Sequence, residues 1–233
     1  MDAGGSIEGI GPPSSVIKAP AVGLAVQKSG RTTAVTTGTV QSINASVSVK
    51  YTTSCGGHKG FVISYTNQVV VTPGTFSAGG DSGSLIVTNG GACPQPVALL
   101  FAGSSTVTIG NPIGEVLTKT GNALVPAKSI SFVSTGCGTS TAAQSQADSL
   151  RGQLPGVSEL AVAGATAAMR TREREILSRP GVLGIGVGGS AVNSTEAVIK
   201  VYVDEFLGGN TRLPRRINGV RVERILTDAF VAY

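Results

Sequence analysis

From Val22 to Phe101 the chain alternates short runs rich in Thr, Val and Ile with clusters of Gly, Asn, Ser and Pro. Apolar or alternating runs of this length, bounded by turn residues, predict strands over Gly23–Lys28, Thr32–Ile43, Val47–Thr52, Phe61–Tyr65, Gln68–Thr72, Ser84–Val87 and Val97–Phe101. Their spacing is that of a small barrel or sandwich. Asn111-Pro112 then opens a short helical turn, Ile113–Leu117, that closes the barrel.

The pattern changes after residue 119. Ser134 to Gln146 (STGCGTSTAAQSQ) is small, polar and uncharged, which is linker composition. Ser158 followed by Glu159 predicts a capped helix running to about Ser178, with Glu175 four residues before Arg179 and Pro180-Gly181 as its stop. Two β-like runs follow, Val182–Val187 and Ala197–Val203, then a last one from Gly219 to Phe230. Gly184-Ile-Gly186-Val-Gly188-Gly189 looks like a nucleotide loop, but its alternation continues a strand and no helix opens after it, so it reads as a β-hairpin arm. The expected fold class is mainly β, with a barrel over 1–125, a linker over 126–157 and a small α+β module over 158–233.

Composition agrees with that picture. Hydrophobic residues make up 41% and charged residues 13%, with Gly 33, Trp 0 and 4% aromatics, as expected for a globular core of Val, Ile, Leu and Ala with many tight turns. The formal charge of +5 is spread along the chain without clustered Lys and Arg or interleaved aromatics, which argues against nucleic acid as a partner. No basic-then-apolar leader opens the sequence and no apolar run is long enough to span a bilayer, so no membrane is expected and the location is cytoplasmic by default.

The chemistry concentrates in Phe76-Ser-Ala-Gly-Gly80-Asp81-Ser82-Gly83-Ser84, a serine between Asp and Gly straight before an apolar strand. A nucleophilic serine has to project its Oγ from a tight turn, with backbone N–H groups beside it to hold the oxyanion of a tetrahedral intermediate. Glycines on either side allow the required φ/ψ values and the approach of a substrate carbonyl. The same four residue types also favour an ordinary β-turn.

The setting separates the two readings. Upstream stands Lys28-Ser-Gly30-Arg31-Thr32-Thr33; downstream stands Leu99-Leu-Phe101-Ala102-Gly103-Ser104, then Asn111-Pro112-Ile113. In this order the segments resemble the second β-barrel of bacterial trypsin-like serine peptidases of the PA clan, from about Ile7 to Leu117. The resemblance implies Ser82 as nucleophile, Gly80 and Ser82 N–H groups as the oxyanion hole, and Phe101, Ala102, Gly103 and Ser104 as the strand that pairs with an extended peptide or protein substrate. It also places Phe76 near the base of an apolar or shallow specificity pocket, and it implies no cofactor and no metal. The module after Ser158 resembles a small α/β unit that accompanies this group.

One part of the pattern is missing. A trypsin-like triad takes its histidine and aspartate from a first barrel, whereas Met1 stands almost at the second. Asp2 has too short a setting to align, and His58, the one histidine, lies in a turn-like stretch within the second barrel and reads as a solvated loop residue. The expectation is a truncated or incomplete serine endopeptidase, inactive as an isolated chain. The alternatives are a subunit completed by another chain and a non-catalytic pseudo-peptidase acting as a peptide-binding or assembly module. Half of a two-barrel enzyme is also expected to leave an incompletely covered apolar patch beside Ser82 and to self-associate.

Cys55, Cys93 and Cys137 are too few for a disulfide scaffold. Cys55 and His58 have the spacing of a metal pair but lack the remaining ligands of a structural zinc site. Cys55 and Cys93 either bridge two loops or stay as inert thiols.

Overall fold

A computed structural model describes residues 5–52, 60–133 and 156–233, and its strands form one continuous sheet. Six of them, β1 (Ala25–Gly30), β2 (Ala34–Thr52), β3 (Gly60–Thr72), β4 (Leu85–Thr88), β5 (Pro96–Gly103) and β6 (Thr108–Pro112), pair antiparallel in the order β1-β4-β5-β6-β3-β2. A further pairing between β1 and β2 closes the ring. The expected mainly-β barrel is thus present. Closing the ring removes the free edges that an open sheet of this size would expose.

Two clusters of buried residues pack against the strands of the ring, with Val69 and Val71 of β3 in one and Val70, on the opposite face, in the other. Val26, Val40, Val69, Val71, Phe76, Ile86, Val97 and Leu100 form one. Ala45, Val47, Val49, Val70, Ala102 and Ile109 form the other, which also takes in Tyr202 and Phe230 from the far end of the chain. Helix α1 (Ile113–Ala123) lies against β5 and β6, and Ile113 joins Ile7, Leu85 and Val87 in a further buried cluster.

The rest of the chain is built onto β2. One edge of this 19-residue strand meets three partners in succession. Residues 34–39 pair with β1, residues 42–47 pair with β7 (Val182–Gly189), and Lys50 pairs with Val231 of β11 (Val231–Ala232). Beyond β7 the sheet continues through β8 (Ala197–Asp204) and β10 (Val220–Thr227) to β9 (Arg216–Ile217). Helix α2 (Glu159–Leu177) lies on this half, burying Ala165, Ala168, Met169 and Ile176 against Ile185, Val187, Val201 and Val203. Its start is capped as the sequence predicts: Ala161 N–H donates to Ser158 Oγ at 3.2 Å. Glu175 and Arg179 pair at 2.6 Å.

The glycine-rich run is a strand, hairpinned to β8, and its alternation has a steric reason. A Cβ on Gly184 or Gly186 would meet β2 at 3.0 Å, and one on Gly188 would sit 2.5 Å from both the Gln41 carbonyl oxygen and Lys200 Cε. The bare face of β7 is what lets β2 come alongside.

Two strand boundaries differ from the sequence expectation. The runs Thr32–Ile43 and Val47–Thr52 are a single strand, as are Phe61–Tyr65 and Gln68–Thr72. The apparent breaks fall at Asn44 and Asn67, which adopt φ of 53° and 59°, and the β2–β3 register shifts between Val40 and Val47. Asparagine tolerates the left-handed conformation that a bulge needs, so the strand bends without ending. The segment Thr108–Pro112, read only as the lead-in to a helical turn, is a strand of its own, and the helix after it runs on to Ala123.

Most of the expected linker, residues 134–155, and Cys137 within it lie outside the described residues, as do Cys55 and His58. Cys93 is disulfide-bonded and so is not one of the inert thiols; the expected pairing with Cys55 involves a residue outside the described set.

The seam between β2 and β7 is testable by size alone. Gly188→Ala is expected to cost about 1–3 kcal/mol by overpacking. Gly209→Ala, where nothing lies within 4 Å of the added carbon, is expected to stay within about 0.5 kcal/mol of the parent. Urea unfolding midpoints of the two variants check this.

Candidate active site

Ser82 stands exposed on the turn between Phe76 and β4, and its neighbours are held hard in place. Asp81 N–H donates to Ala78 O at 3.1 Å, and Ser84 N–H to Asp81 O at 3.0 Å. Gly83 N–H reaches Leu100 O at 2.8 Å, tying the turn to β5. Gly80 and Gly83 adopt φ of 99° and 85°. At Gly80 any Cβ would also strike Arg31 Nη2 at 2.3 Å and Thr32 Oγ1 at 2.6 Å, so both conformation and space require glycine there.

Beneath the turn the Asp81 carboxylate is fully buried, and every contact it makes comes from the upstream motif or from its own loop. Oδ1 accepts from Thr32 N–H at 2.7 Å and Thr33 N–H at 3.3 Å. Oδ2 accepts from Thr33 Oγ1 at 2.7 Å and Ala78 N–H at 3.1 Å, and pairs with Lys28 Nζ at 3.2 Å, both side chains being wholly inaccessible. Gly30 leaves the room: a Cβ there would lie 2.5 Å from Oδ1. Lys28 is satisfied in turn by Thr33 Oγ1 and by Ala34 O at 3.0 Å. Burial on its own raises a carboxyl pKa. Here the hydrogen bonds from Thr33, from the Thr32 and Ala78 N–H groups and from Lys28 outweigh it and hold Asp81 well below the usual range.

Ser82 Oγ donates to the carbonyl of Phe101 at 3.2 Å. Among the described residues there is no histidine to receive that proton, since His58 lies outside them. Gly80 N–H and Ser82 N–H donate to no backbone oxygen of the described residues. No group of three or more His, Cys, Asp or Glu side chains gathers as a metal centre among the described residues.

The residues read as the peptide-pairing strand, Phe101 to Gly103 with Ser104 just beyond, do form the edge of β5 next to Ser82. That edge is occupied. β11 runs antiparallel to it, Val231 opposite Gly103 and Ala232 opposite Ala102, and Tyr233 N–H donates to the same Phe101 carbonyl at 3.1 Å. The Tyr233 ring packs on the barrel cluster that contains Phe76. Phe76 itself is fully buried and its carbonyl accepts from Thr36 Oγ1 at 2.6 Å. The side chain is part of the core, while the hydroxyl of its neighbour Ser77 pairs with Thr108 Oγ1 at 2.6 Å and lies close to the Tyr233 phenol.

Lys28, Thr32, Thr33 and Ser77 carry roles that the sequence reading left unassigned. The strand that carries Lys28 also holds Gln27 and Ser29, so nothing local marks this lysine as the buried partner of Asp81.

No family model matches this chain and no curated protein matches it. Among solved structures, a glutamic acid specific serine protease that utilizes a histidine triad in substrate binding is similar at 32% identity, over 49% of this chain and 55% of that one, with a TM-score of 0.36. This chain spans about half the length of that protease.

Removing one partner of the buried pair leaves the other charged and alone, so Lys28→Met is expected to destabilise by about 3–5 kcal/mol. The pH dependence has a definite sign. Asp81 titrates near 3.8 when unperturbed and lower in the fold. Its contribution is therefore complete above about pH 5 and is lost as pH falls through 4 towards the folded value. Melting temperatures between pH 6 and 3 should fall steeply for the parent and less steeply for Asp81→Asn.

Proposed function

We propose that this chain is the nucleophile-bearing barrel of a trypsin-like serine peptidase, with Ser82 attacking the peptide carbonyl to form an acyl-enzyme. The observation that carries the reading is the Asp81 cradle. Lys28, Gly30, Thr32 and Thr33 fix one carboxylate, and the carboxylate fixes the turn that lifts Ser82 into solvent. In this reading Gly80 N–H and Ser82 N–H, neither engaged with a backbone oxygen of the described residues, receive the oxyanion that develops on the substrate. The β5 edge at Phe101–Gly103 aligns the extended peptide, and no cofactor takes part.

A serine hydroxyl at neutral pH needs a base to become a competent nucleophile. The base and its orienting aspartate come, in this proposal, from a first-barrel segment or a second chain seated beside Ser82, and peptide or protein is the substrate. A second reading, a peptide-binding or assembly module without catalysis, is favoured by the Ser82 hydroxyl being engaged with Phe101 O. Self-association belongs to both readings. Phe61, Val62 and Ile63, consecutive on β3, are each more than a third exposed and offer apolar surface for it.

Labelling by a fluorophosphonate probe separates the two. The peptidase reading expects a covalent adduct on Ser82, slow for the isolated chain, that disappears in Ser82→Ala and survives His58→Ala. A folded chain that gives no adduct under long exposure, alone or in extract from its source, rejects catalysis at Ser82 and leaves the binding module.

A further inference from the structure

The segment that fills the β5 edge is seated as an extended peptide ligand would be. Three residues contribute in succession: Val231 opposite Gly103, Ala232 opposite Ala102, and Tyr233 N–H on Phe101 O. That last carbonyl also accepts from Ser82 Oγ, so the Tyr233 backbone and the Ser82 hydroxyl converge on one oxygen atom. The Tyr233 side chain turns inward. Its hydroxyl lies where any side chain on Gly103 would stand, 2.3 Å from the position of a Cβ, and the Ser77 hydroxyl lies close to it. Ser77 is buried and bonded in turn to Thr108 Oγ1 at 2.6 Å, which fixes where it points.

The approach to this seat is strapped down independently of the edge. Ser104 Oγ meets Thr227 Oγ1 at 2.8 Å. Ser105 donates to Asp228 Oδ1 from both its N–H and its hydroxyl, at 2.8 and 2.7 Å. Phe230 is fully buried against the edge of Tyr202, and its carbonyl accepts from Lys50 N–H at 2.9 Å. β11 itself spans two residues and Val231 is exposed. The segment is thus anchored upstream and held at the site only by a short ladder and one aromatic ring.

We infer that Val231–Tyr233 is a resident occupant in cis of the peptide site beside Ser82, holding that site closed, and that the pocket behind Gly103 takes a phenolic side chain whose hydroxyl is received by Ser77. The ligand that displaces the segment is an extended peptide carrying tyrosine at the position Tyr233 holds. This deepens the reading given above and rests on the β5 edge being a peptide site, but not on Ser82 being reactive.

The test is direct binding by fluorescence polarisation of fluorescein-labelled Phe-Val-Ala-Tyr-amide to the full chain. The parent should bind weakly. The variant Val231→Pro/Tyr233→Ala, which breaks the short ladder and empties the pocket, should bind at least tenfold more tightly. So should Asp228→Ala/Thr227→Ala, which removes the strap's bonds to Ser104 and Ser105 without touching the edge and decides the matter if the first double variant does not fold. In the opened chain, Phe-Val-Ala-Phe-amide should bind severalfold more weakly than the tyrosine peptide, and Ser77→Ala should abolish that difference. The inference is overturned if folded, opened variants bind no better than the parent, or if Ser77→Ala leaves the tyrosine preference intact. No bond is broken in this measurement, so a chain that fails to label at Ser82 while gaining peptide affinity refutes catalysis alone, and one that labels without gaining affinity refutes the occupancy alone.

Discussion

The organisation around Ser82 depends on one carboxylate kept ionised without water. A buried Asp81 needs a cation and enough donors to replace its hydration, and the loop that carries it has only Ala78 N–H to offer. The remainder comes from the β1–β2 hairpin, from residues 48 to 53 positions earlier in the chain: Lys28, Thr32 and Thr33. Because β1 is also the strand that closes the ring by pairing with β2 and β4, the polar cradle and the barrel closure hold the same piece of chain from two sides. An exposed serine on a glycine-rich turn would ordinarily be mobile; here the residue before it cannot move without unpairing a buried ion pair.

A second constraint is the use of a single strand edge by three partners. β2 gives its first part to β1, its middle to β7 and Lys50 to β11. The register shifts between Val40 and Val47 bend the strand so that its edge leaves the barrel ring and becomes available. The later part of the chain is therefore joined by backbone ladders as well as by its connection, and Tyr202 and Phe230 complete a barrel cluster that would otherwise lack two of its largest rings. The buried Tyr202 hydroxyl is satisfied by Ser42 at 2.7 Å and Gln41 at 2.9 Å, both on β2, so this junction is paired in its polar groups as well as its apolar ones.

What could be read from sequence alone was what is local. The Ser158 cap, the Glu175–Arg179 pair and the glycine alternation of β7 each state their structure within a few residues. The turn around Ser82 announces its glycines and its serine in contiguous residues, while the partners of Asp81 stand in a distant hairpin. Asn44 and Asn67 misled because an asparagine between two β-like runs looks the same whether it ends a strand or bulges it; the difference lies in the pairing of a partner strand. The resemblance puts Phe76 near the base of a pocket; the 3-10 turn Gly74–Phe76 buries its ring in the cluster on which Tyr233 packs, and Ser77 follows it, a position that carries no signal in the sequence. The occupant of the β5 edge was the least legible feature, because Val231-Ala-Tyr233 carries no motif and its partners stand about 130 positions away.

The β5 edge also shows why a covered site is a stable solution here. A strand edge that accepts an extended peptide is by the same property a template for pairing with another chain. Leaving it open at Phe101–Gly103, beside a half-buried aromatic and a pocket lined by barrel residues, would expose unpaired backbone groups and apolar surface together. A long covering strand would remove that hazard but would also make the edge unreachable. Two paired residues and one inserted phenol cover it with few hydrogen bonds, while Ser104, Ser105, Lys50 and Tyr202 keep the segment close at hand after it lets go. Held at high effective concentration by those anchors, the segment would, in the proposed peptide site, compete with a peptide in solution through proximity more than through contact area. In the proposed peptide site, a ligand with a longer ladder along β5, or with a ring that fits the place of Tyr233, would exchange with the segment without unfolding the barrel.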